Sequence, residues 1–444
     1  MPDFLENFEF DRNSFLIGFI LGILFWMLVG VLWPLLKRTW GNFTTTLDQS
    51  RSLASRGIDV HLANDTLQRL QKAHLASALF SLDEVRVEPR ILIPPAGQYP
   101  GEEPAIQDIA TATIAFMPDA TEMAGIYRAP ALTLAKMLAP GANIVLIGRA
   151  GAGKSFALAD LACQISRKSP AVGDLVNLVP LYLHALDFLP EISDGQSVLS
   201  VITDAALSYA SPRTARQLPG YLDNAFSIGR ALLLLDGLDE LPPEAFDRYV
   251  IFLRKLLSDF PSIRIVTTAS PAYYGDLTLM GFAPVAIASW NGIQRSTFIH
   301  QWSQLWTAHV DSAVWAGESR QEESPGRTPG LAVDPLFVEG MLLNNQGTYT
   351  PLEFTALTWA AFAGDMLGNS PGEGIEAYIR RNIAEFPDAR DPLEQLAANF
   401  LIRQSATLRK RDIGTDFSDP GAIEIDGAEP ELELAAQTEG ASQP

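Results

Sequence analysis

Asn143-Ile-Val-Leu-Ile-Gly148-Arg149-Ala150-Gly151-Ala152-Gly153-Lys154-Ser155, followed at once by Phe156-Ala-Leu-Ala-Asp-Leu-Ala162, is the stretch on which the fold turns. An apolar run of strand length enters G-x-x-x-x-G-K-S and leaves it in a helical pattern, so strand, glycine turn and helix stand in that order. A phosphate demands that order, because backbone N–H groups must converge on it at the positive end of a helix. Gly148, Gly151 and Gly153 let the chain wrap closely enough, and Arg149, Ala150, Ala152 and Phe156 complete the expected phosphate-binding stretch. Lys154 is placed to reach the β- and γ-phosphates, and the Ser155 hydroxyl to ligate Mg²⁺.

The chain has 444 residues, enough for two to three domains. Its single cysteine, Cys163, rules out an internal disulfide framework. The formal charge of −20 argues against general nucleic-acid binding, which needs a positive surface to displace counterions. Part of that charge is local: nine carboxylates and no Lys or Arg follow Arg411. Residues 412–444 therefore read as an acidic disordered tail.

From Phe15 to Leu36 the chain carries 22 residues without a charge, and as a helix that run would measure about 33 Å against a hydrocarbon core of about 30 Å. A cleaved signal peptide fits poorly, since Asp3, Glu6, Glu9 and Asp11 precede the run. Lys37, Arg38, Arg51 and Arg56 follow it, and the positive-inside rule then predicts a single-pass protein with residues 1–14 outside and the remainder cytoplasmic. Gly18 and Gly22 form a G-x-x-x-G, a spacing that suits self-association in a lipid bilayer. Residues 37–130 read as a connector. His61 to Leu82 has helical apolar spacing, and Pro89, Pro94, Pro95, Pro100 and Pro104 forbid long regular elements. A helix over Ala129 to Leu138 is expected to lead into the first core strand.

Beyond the glycine loop, Leu178 to His184, Ala231 to Leu235, Arg264 to Thr268 and Pro284 to Ile287 read as strands, with helical stretches at Val198 to Tyr209 and Phe246 to Leu257. Such alternation predicts an α/β fold, a parallel sheet with helices on both faces and ligands at the carboxyl ends of the strands. Asp236 stands at one such end, where a carboxylate can hold Mg²⁺, and Asp239 and Glu240 follow as candidate catalytic groups to orient or deprotonate a water.

The loop from Gly148 to Ser155, taken with Leu232-Leu-Leu-Leu-Asp236-Gly-Leu-Asp239-Glu240 and with Gly229-Arg230 ahead of that strand, resembles the NACHT class of signal-transduction NTPases, the STAND group. The resemblance covers residues 131–310 and implies a P-loop NTPase core that binds ATP or GTP with Mg²⁺ as a switch and oligomerises in the triphosphate state. It further implies that Lys154 and Ser155 bind phosphate and Mg²⁺, that Asp236 binds the Mg²⁺, and that Asp239 and Glu240 serve hydrolysis. Two departures point the other way. The class ends its fourth strand in T-S-R-P, the arginine sensing the γ-phosphate, whereas this chain has Thr268-Ala269-Ser270-Pro271. The class also takes a histidine to the β-phosphate from a winged helix, and no histidine follows His309.

Residues 311–334 are rich in charge, Pro and Gly and read as a linker, and residues 335–411 as a small helical domain in which Thr350-Pro351-Leu352-Glu353 has the form of a capping box. No repeat of a sensor array is visible. The expectation is therefore a membrane-anchored nucleotide-binding NTPase, self-associating through span and core, with a hydrolysis-deficient nucleotide-binding scaffold as the alternative. An ABC transport ATPase would need L-S-G-G-Q and a small G protein N-K-x-D, and neither is present.

Overall fold

The computed structural model describes residues 57–92, 131–188, 197–271, 274–310, 333–343, 349–365, 370–384 and 386–402. Residues 57–62 belong to a first compact unit, Met1–Leu62, and the architecture that follows is that of the second, Ala63–Pro444.

Seven strands form one sheet: β1 Ile91–Leu92, β2 Ala131–Leu132, β3 Ile144–Ile147, β4 Val179–His184, β5 Ala231–Asp236, β6 Arg264–Ala269 and β7 Ala283–Ile287, in the order β2-β1-β7-β3-β6-β5-β4. The five from β3 to β7 are mutually parallel, while β1 adds antiparallel to β7 and β2 antiparallel to β1. The sheet is thus mixed rather than wholly parallel. The expected helix from Ala129 is in fact β2 followed by a short helix, α2 Leu134–Leu138, whose N-cap Thr133 accepts from the Lys136 N–H.

Every residue of β3 and β5 is buried, so both faces of the sheet are covered, as continuous apolar runs in a parallel core require. Ile144, Leu146, Leu232, Leu234 and Val266 pack on one face with Leu158, Leu161 and Ala162 of α3, Lys154–Ser166. Further along run α4 Val198–Leu207, α5 Pro212–Ala215, α6 Leu218–Ser227, α7 Pro243–Asp259, α8 Gly275–Leu279 and α9 Gly292–His309. In α7 the side chains of Tyr249, Phe252, Leu253 and Leu256 are buried, one stripe at helical spacing.

The helical stretches expected beyond the linker are α10 Pro335–Leu343, α11 Pro351–Phe362, α12 Pro371–Asn382 and α13 Arg390–Ile402. The capping box is present: Thr350 Oγ1 accepts from the Glu353 N–H at 3.3 Å, and Glu353 accepts from the Thr350 N–H at 2.7 Å. A second core, rich in aromatic rings, unites Phe298, Trp302 and Trp306 of α9 with Phe354, Trp359 and Phe362 of α11 and with Phe80 and Val85 of the connector. That connector is not one long helix. Its helical part, α1, covers residues 57–70, after which the chain proceeds in turns to residue 85.

The expectation of a single-pass membrane protein is withdrawn. Among the described residues no helix is long and apolar enough to cross a membrane, and the uncharged run from Phe15 to Leu36, with Gly18 and Gly22, lies outside them. Lack of charge over a spanning length is necessary for a membrane helix but does not establish one. The lipid bilayer and self-association through a span are accordingly dropped as partners, and with them the assignment of residues to the two sides of a membrane. The acidic tail beyond Arg411 also lies outside the described residues.

Candidate functional site

The glycine loop joins the end of β3 to the start of α3, at the carboxyl ends of the parallel strands. Gly151 and Gly153 hold φ of +76° and +95°, values a side chain disfavours. Gly148 has ordinary backbone angles but no room: an added Cβ would lie 2.9 Å from Ile287 Cγ2 on β7. The first turn of α3 has no side-chain cap, because its N-cap is Gly153. Its leading N–H groups are therefore free of intrahelical acceptors and directed at the loop, which is the donor set an anion needs. Arg149, Ala150 and the Ser155 residue are exposed, Ala152 and Phe156 half-buried.

Lys154 is buried and bends back over the loop, donating to the carbonyls of Gly148 at 2.7 Å and Arg149 at 3.1 Å. Its ammonium also lies 3.0 Å from Asp239 Oδ2, an ion pair between side chains that are 7% and 16% exposed. Asp239 comes from the turn after β5. There Gly237, at φ +77°, precedes a single 3₁₀ turn, Leu238–Glu240, that carries the carboxylate toward the lysine.

Asp236, the last residue of β5, is 2% exposed. Its Oδ2 accepts from the Tyr182 hydroxyl at 2.6 Å and its Oδ1 from Thr268 Oγ1 at 3.0 Å; Thr268 Oγ1 in turn accepts from the Gly237 N–H at 2.8 Å. Burial, then the charge and hydrogen bond of Asp236, push the Tyr182 phenol well above its ordinary value, so it remains a donor. Glu240 points elsewhere: its carboxylate lies 3.7 Å from His184 Nε2, while His184 Nδ1 accepts from the Leu186 N–H at 3.2 Å. Burial lowers the His184 pKa, but the Glu240 hydrogen bond and the charges of Asp236, Glu240 and Asp187 outweigh it, and the net direction is upward.

Lys154 and Asp239 are thus in direct contact, and Asp236 joins them through Thr268, which is 3.5 Å from Asp239 Oδ1. Glu240 stands apart with His184. Tyr182, His184 and Thr268 were not singled out as functional in the sequence. The signal for the first two lay in strand register, since β4 and β5 pair in parallel with His184 beside Asp236 and Tyr182 two residues earlier on the same face. The start of α11 also meets the loop: the Leu352 N–H donates to the Gly151 carbonyl at 3.2 Å. Beside it a cleft is lined by Gly148, Arg149, Ala152, Ile287, Thr350 and Pro351 among others.

Numbered along the chain, the five parallel strands lie in the order 5-1-4-3-2, with the glycine loop after the first and the acidic residue at the end of the third. This is the architecture of a P-loop NTPase. No family model matches the chain, and no curated protein matches it. Solved structures similar to it include the Aeropyrum pernix ORC1 protein in complex with DNA, 16% identical over 60% of this chain and 68% of that one, with a TM-score of 0.30. The Aeropyrum pernix ORC2 protein, in ADPNP–ADP complexes, is 13% identical over 65% of this chain and 72% of that one, with a TM-score of 0.31. Domain III of the Thermotoga maritima replication initiation protein DnaA is 14% identical over 62% and 97%, with a TM-score of 0.26. At such scores the architecture rests on the strand order and the loop, not on the overlap. The exclusion of nucleic acid as a partner, drawn from the formal charge of −20, is withdrawn. Its physical weakness is that a charge summed over 444 residues does not describe any one face, and nine of the carboxylates lie beyond Arg411.

Proposed function

We propose that this chain is a NACHT-type nucleotide-binding NTPase that takes ATP or GTP with Mg²⁺ and hydrolyses it slowly. The observation that carries the reading is the buried Lys154, held by two loop carbonyls and paired with Asp239 at the uncapped start of α3. In this reading the free N–H groups of the first turn and the Lys154 ammonium bind the phosphates. Ser155 and Asp236 would hold Mg²⁺, which would supply positive charge to neutralise that building on the phosphoryl group. Two carboxylates, Asp239 directly and Asp236 through Thr268, stand beside a single buried ammonium, which gives the site the excess negative charge that a divalent cation balances.

Lys154 cannot serve the phosphates and Asp239 equally. When it turns to phosphate oxygens, Asp239 is released to orient an attacking water, so one ion pair separates a resting arrangement from a reactive one. The domains follow: a connector to residue 130, the nucleotide-binding core over 131–310 and the helical domain from 335, with Thr350 and Pro351 beside the loop.

A second reading, a nucleotide-binding scaffold that scarcely turns over, is favoured by Ser270 after β6, where the NACHT pattern has an arginine. An arginine in such a role contributes about 10³ to 10⁵ in rate. Titration of the purified full chain with ribose-labelled fluorescent ATP and GTP tests the main reading. Saturable binding lost in Lys154→Ala supports it, and equal binding by the variant, or none by the wild type, overturns it. Turnover abolished by Asp239→Asn rejects the scaffold.

A further inference from the structure

Asp236 is a carboxylate at the bottom of the site with an unusual set of partners. It is 2% exposed, and both its oxygens accept from neutral hydroxyls, Tyr182 on Oδ2 and Thr268 on Oδ1. Among the described residues no Lys or Arg forms an ion pair with it. A buried charge without a counter-ion is costly, and the ordinary remedy would be a guanidinium or ammonium alongside. A basic partner, however, would neutralise the carboxylate and compete with any cation for it. Hydroxyl donors orient it and leave its charge in place.

Geometry adds to this. A carboxylate offers about four lone-pair directions. Tyr182 and Thr268 take one on each oxygen from opposite neighbours, because β4 and β6 flank β5 in the sheet. Rotation of the carboxylate is thereby blocked, and one acceptor direction per oxygen remains. Both donors are themselves pinned. Thr268 Oγ1 receives the Gly237 N–H at 2.8 Å, which leaves its proton for Asp236. Arg69 donates to the Tyr182 carbonyl at 3.1 Å, with its guanidinium 5.4 Å from the Tyr182 ring centre and 3.3 Å from that of Tyr209, and pairs with Asp187 at 3.5 Å.

We propose that Tyr182 and Thr268 are positioning residues that fix Asp236 for the Mg²⁺ of a bound nucleotide and so set the Mg²⁺ requirement of the site. The inference rests on the nucleotide-binding reading above and assigns to β4 and β6 a part in cation binding. Hydroxyls that orient a metal-binding carboxylate act on metal affinity and leave the phosphate loop untouched, and loss of such an outer partner costs about 10-fold or more in metal affinity.

The test titrates Mg²⁺ into full-length protein with ribose-labelled fluorescent ATP, and separately measures nucleotide affinity in EDTA. Tyr182→Phe and Thr268→Val should each raise the Mg²⁺ midpoint about 10-fold while affinity in EDTA stays within about 2-fold of wild type. Thr268→Ser, which keeps the hydroxyl, should restore the wild-type midpoint. Unchanged midpoints in both variants overturn the proposal, as does a parallel loss of affinity with and without Mg²⁺, which would mark a packing role. If Tyr182→Phe fails to fold, the Thr268 pair decides alone. Wild-type protein that binds no nucleotide overturns the underlying reading and this inference together, whereas normal binding with unmoved midpoints overturns only the inference.

Discussion

Gly237→Ala perturbs the turn that carries Asp239, and its cost divides into two parts that can be measured separately. Gly237 has φ +77°, where an alanine costs about 1–2 kcal/mol through its Cβ alone. The new methyl would also lie 2.6 Å from His184 Nε2 and 3.0 Å from Nδ1, so the imidazole must move. Moving it forfeits the Leu186 N–H bond, about 0.5–1.5 kcal/mol. The Glu240 contact adds little, because the Glu240 side chain is 44% exposed and its charge is screened. The full effect should reach about 1.5–3.5 kcal/mol. In a His184→Ala background the ring is gone and only the backbone part should remain, about 1–2 kcal/mol. Urea unfolding of the four proteins of this cycle, compared at equal m-values, reads the coupling directly. A coupling below about 0.5 kcal/mol would refute the reasoning, since the ring contact would then not be what restricts the position to glycine.

Three further outcomes are expected. Arg86→Ala removes the partner that binds Asp160 through two bonds, 2.6 and 3.2 Å, and leaves a carboxylate only 5% exposed with Gln164 alone; urea unfolding should show a loss of about 2–4 kcal/mol. His184 has a folded pKa raised above its unfolded value, so the stability it contributes is complete below the unfolded value of about 6.5 and fades as pH rises through the folded one. His184→Gln should therefore cost more at pH 5.5 than at pH 8.5, and a cost independent of pH would contradict the charge set around the ring. Trp302 is 1% exposed in the aromatic core, yet among the described residues its indole Nε1 has no hydrogen-bond partner. Thermal unfolding should show Trp302→Phe costing under about 1.5 kcal/mol against about 3–5 kcal/mol for Trp302→Ala.

The core strands could be read from sequence because each is a continuous apolar run closed by a polar or glycine residue, and burial on both faces leaves no alternation to confuse the pattern. The glycine loop and Asp236 followed from the same runs. What misled was periodicity in the connector. Leu67, Leu70, His74-Leu75 and Leu79 fall at helical spacing, but Leu67 and Leu70 pack in the core that holds α3, while Leu79 packs on the aromatic core. The spacing there reports two cores served by one segment, and the Leu82 N–H donating to the Gln71 carbonyl marks where the chain turns. The edge strands were illegible for a different reason: two residues carry no period, and Ile91–Leu92 is a strand only because β7 offers it an edge. The hydroxyls on Asp236 required the β4–β5 register, which local pattern does not contain.

The strand order explains why the acidic motif takes the form Asp236-Gly-Leu-Asp239. β6 lies between β3 and β5, so the loop that bears Lys154 and the strand end that bears Asp236 stand two strand spacings apart, about 10 Å. No carboxylate at the tip of β5 can both hold a cation there and meet the ammonium across β6. Gly237 in the left-handed region turns the chain, and one 3₁₀ turn brings Asp239 within 3.0 Å of Lys154. Thr268 of β6 lies in the gap, donating to Asp236 at 3.0 Å and reaching 3.5 Å from Asp239. One turn therefore presents two carboxylates with separate partners, the first oriented by neutral hydroxyls and the second matched to a charge. Disturbing Gly237 should uncouple them, whereas altering Thr268 should act on the first and leave the Lys154 pair in place.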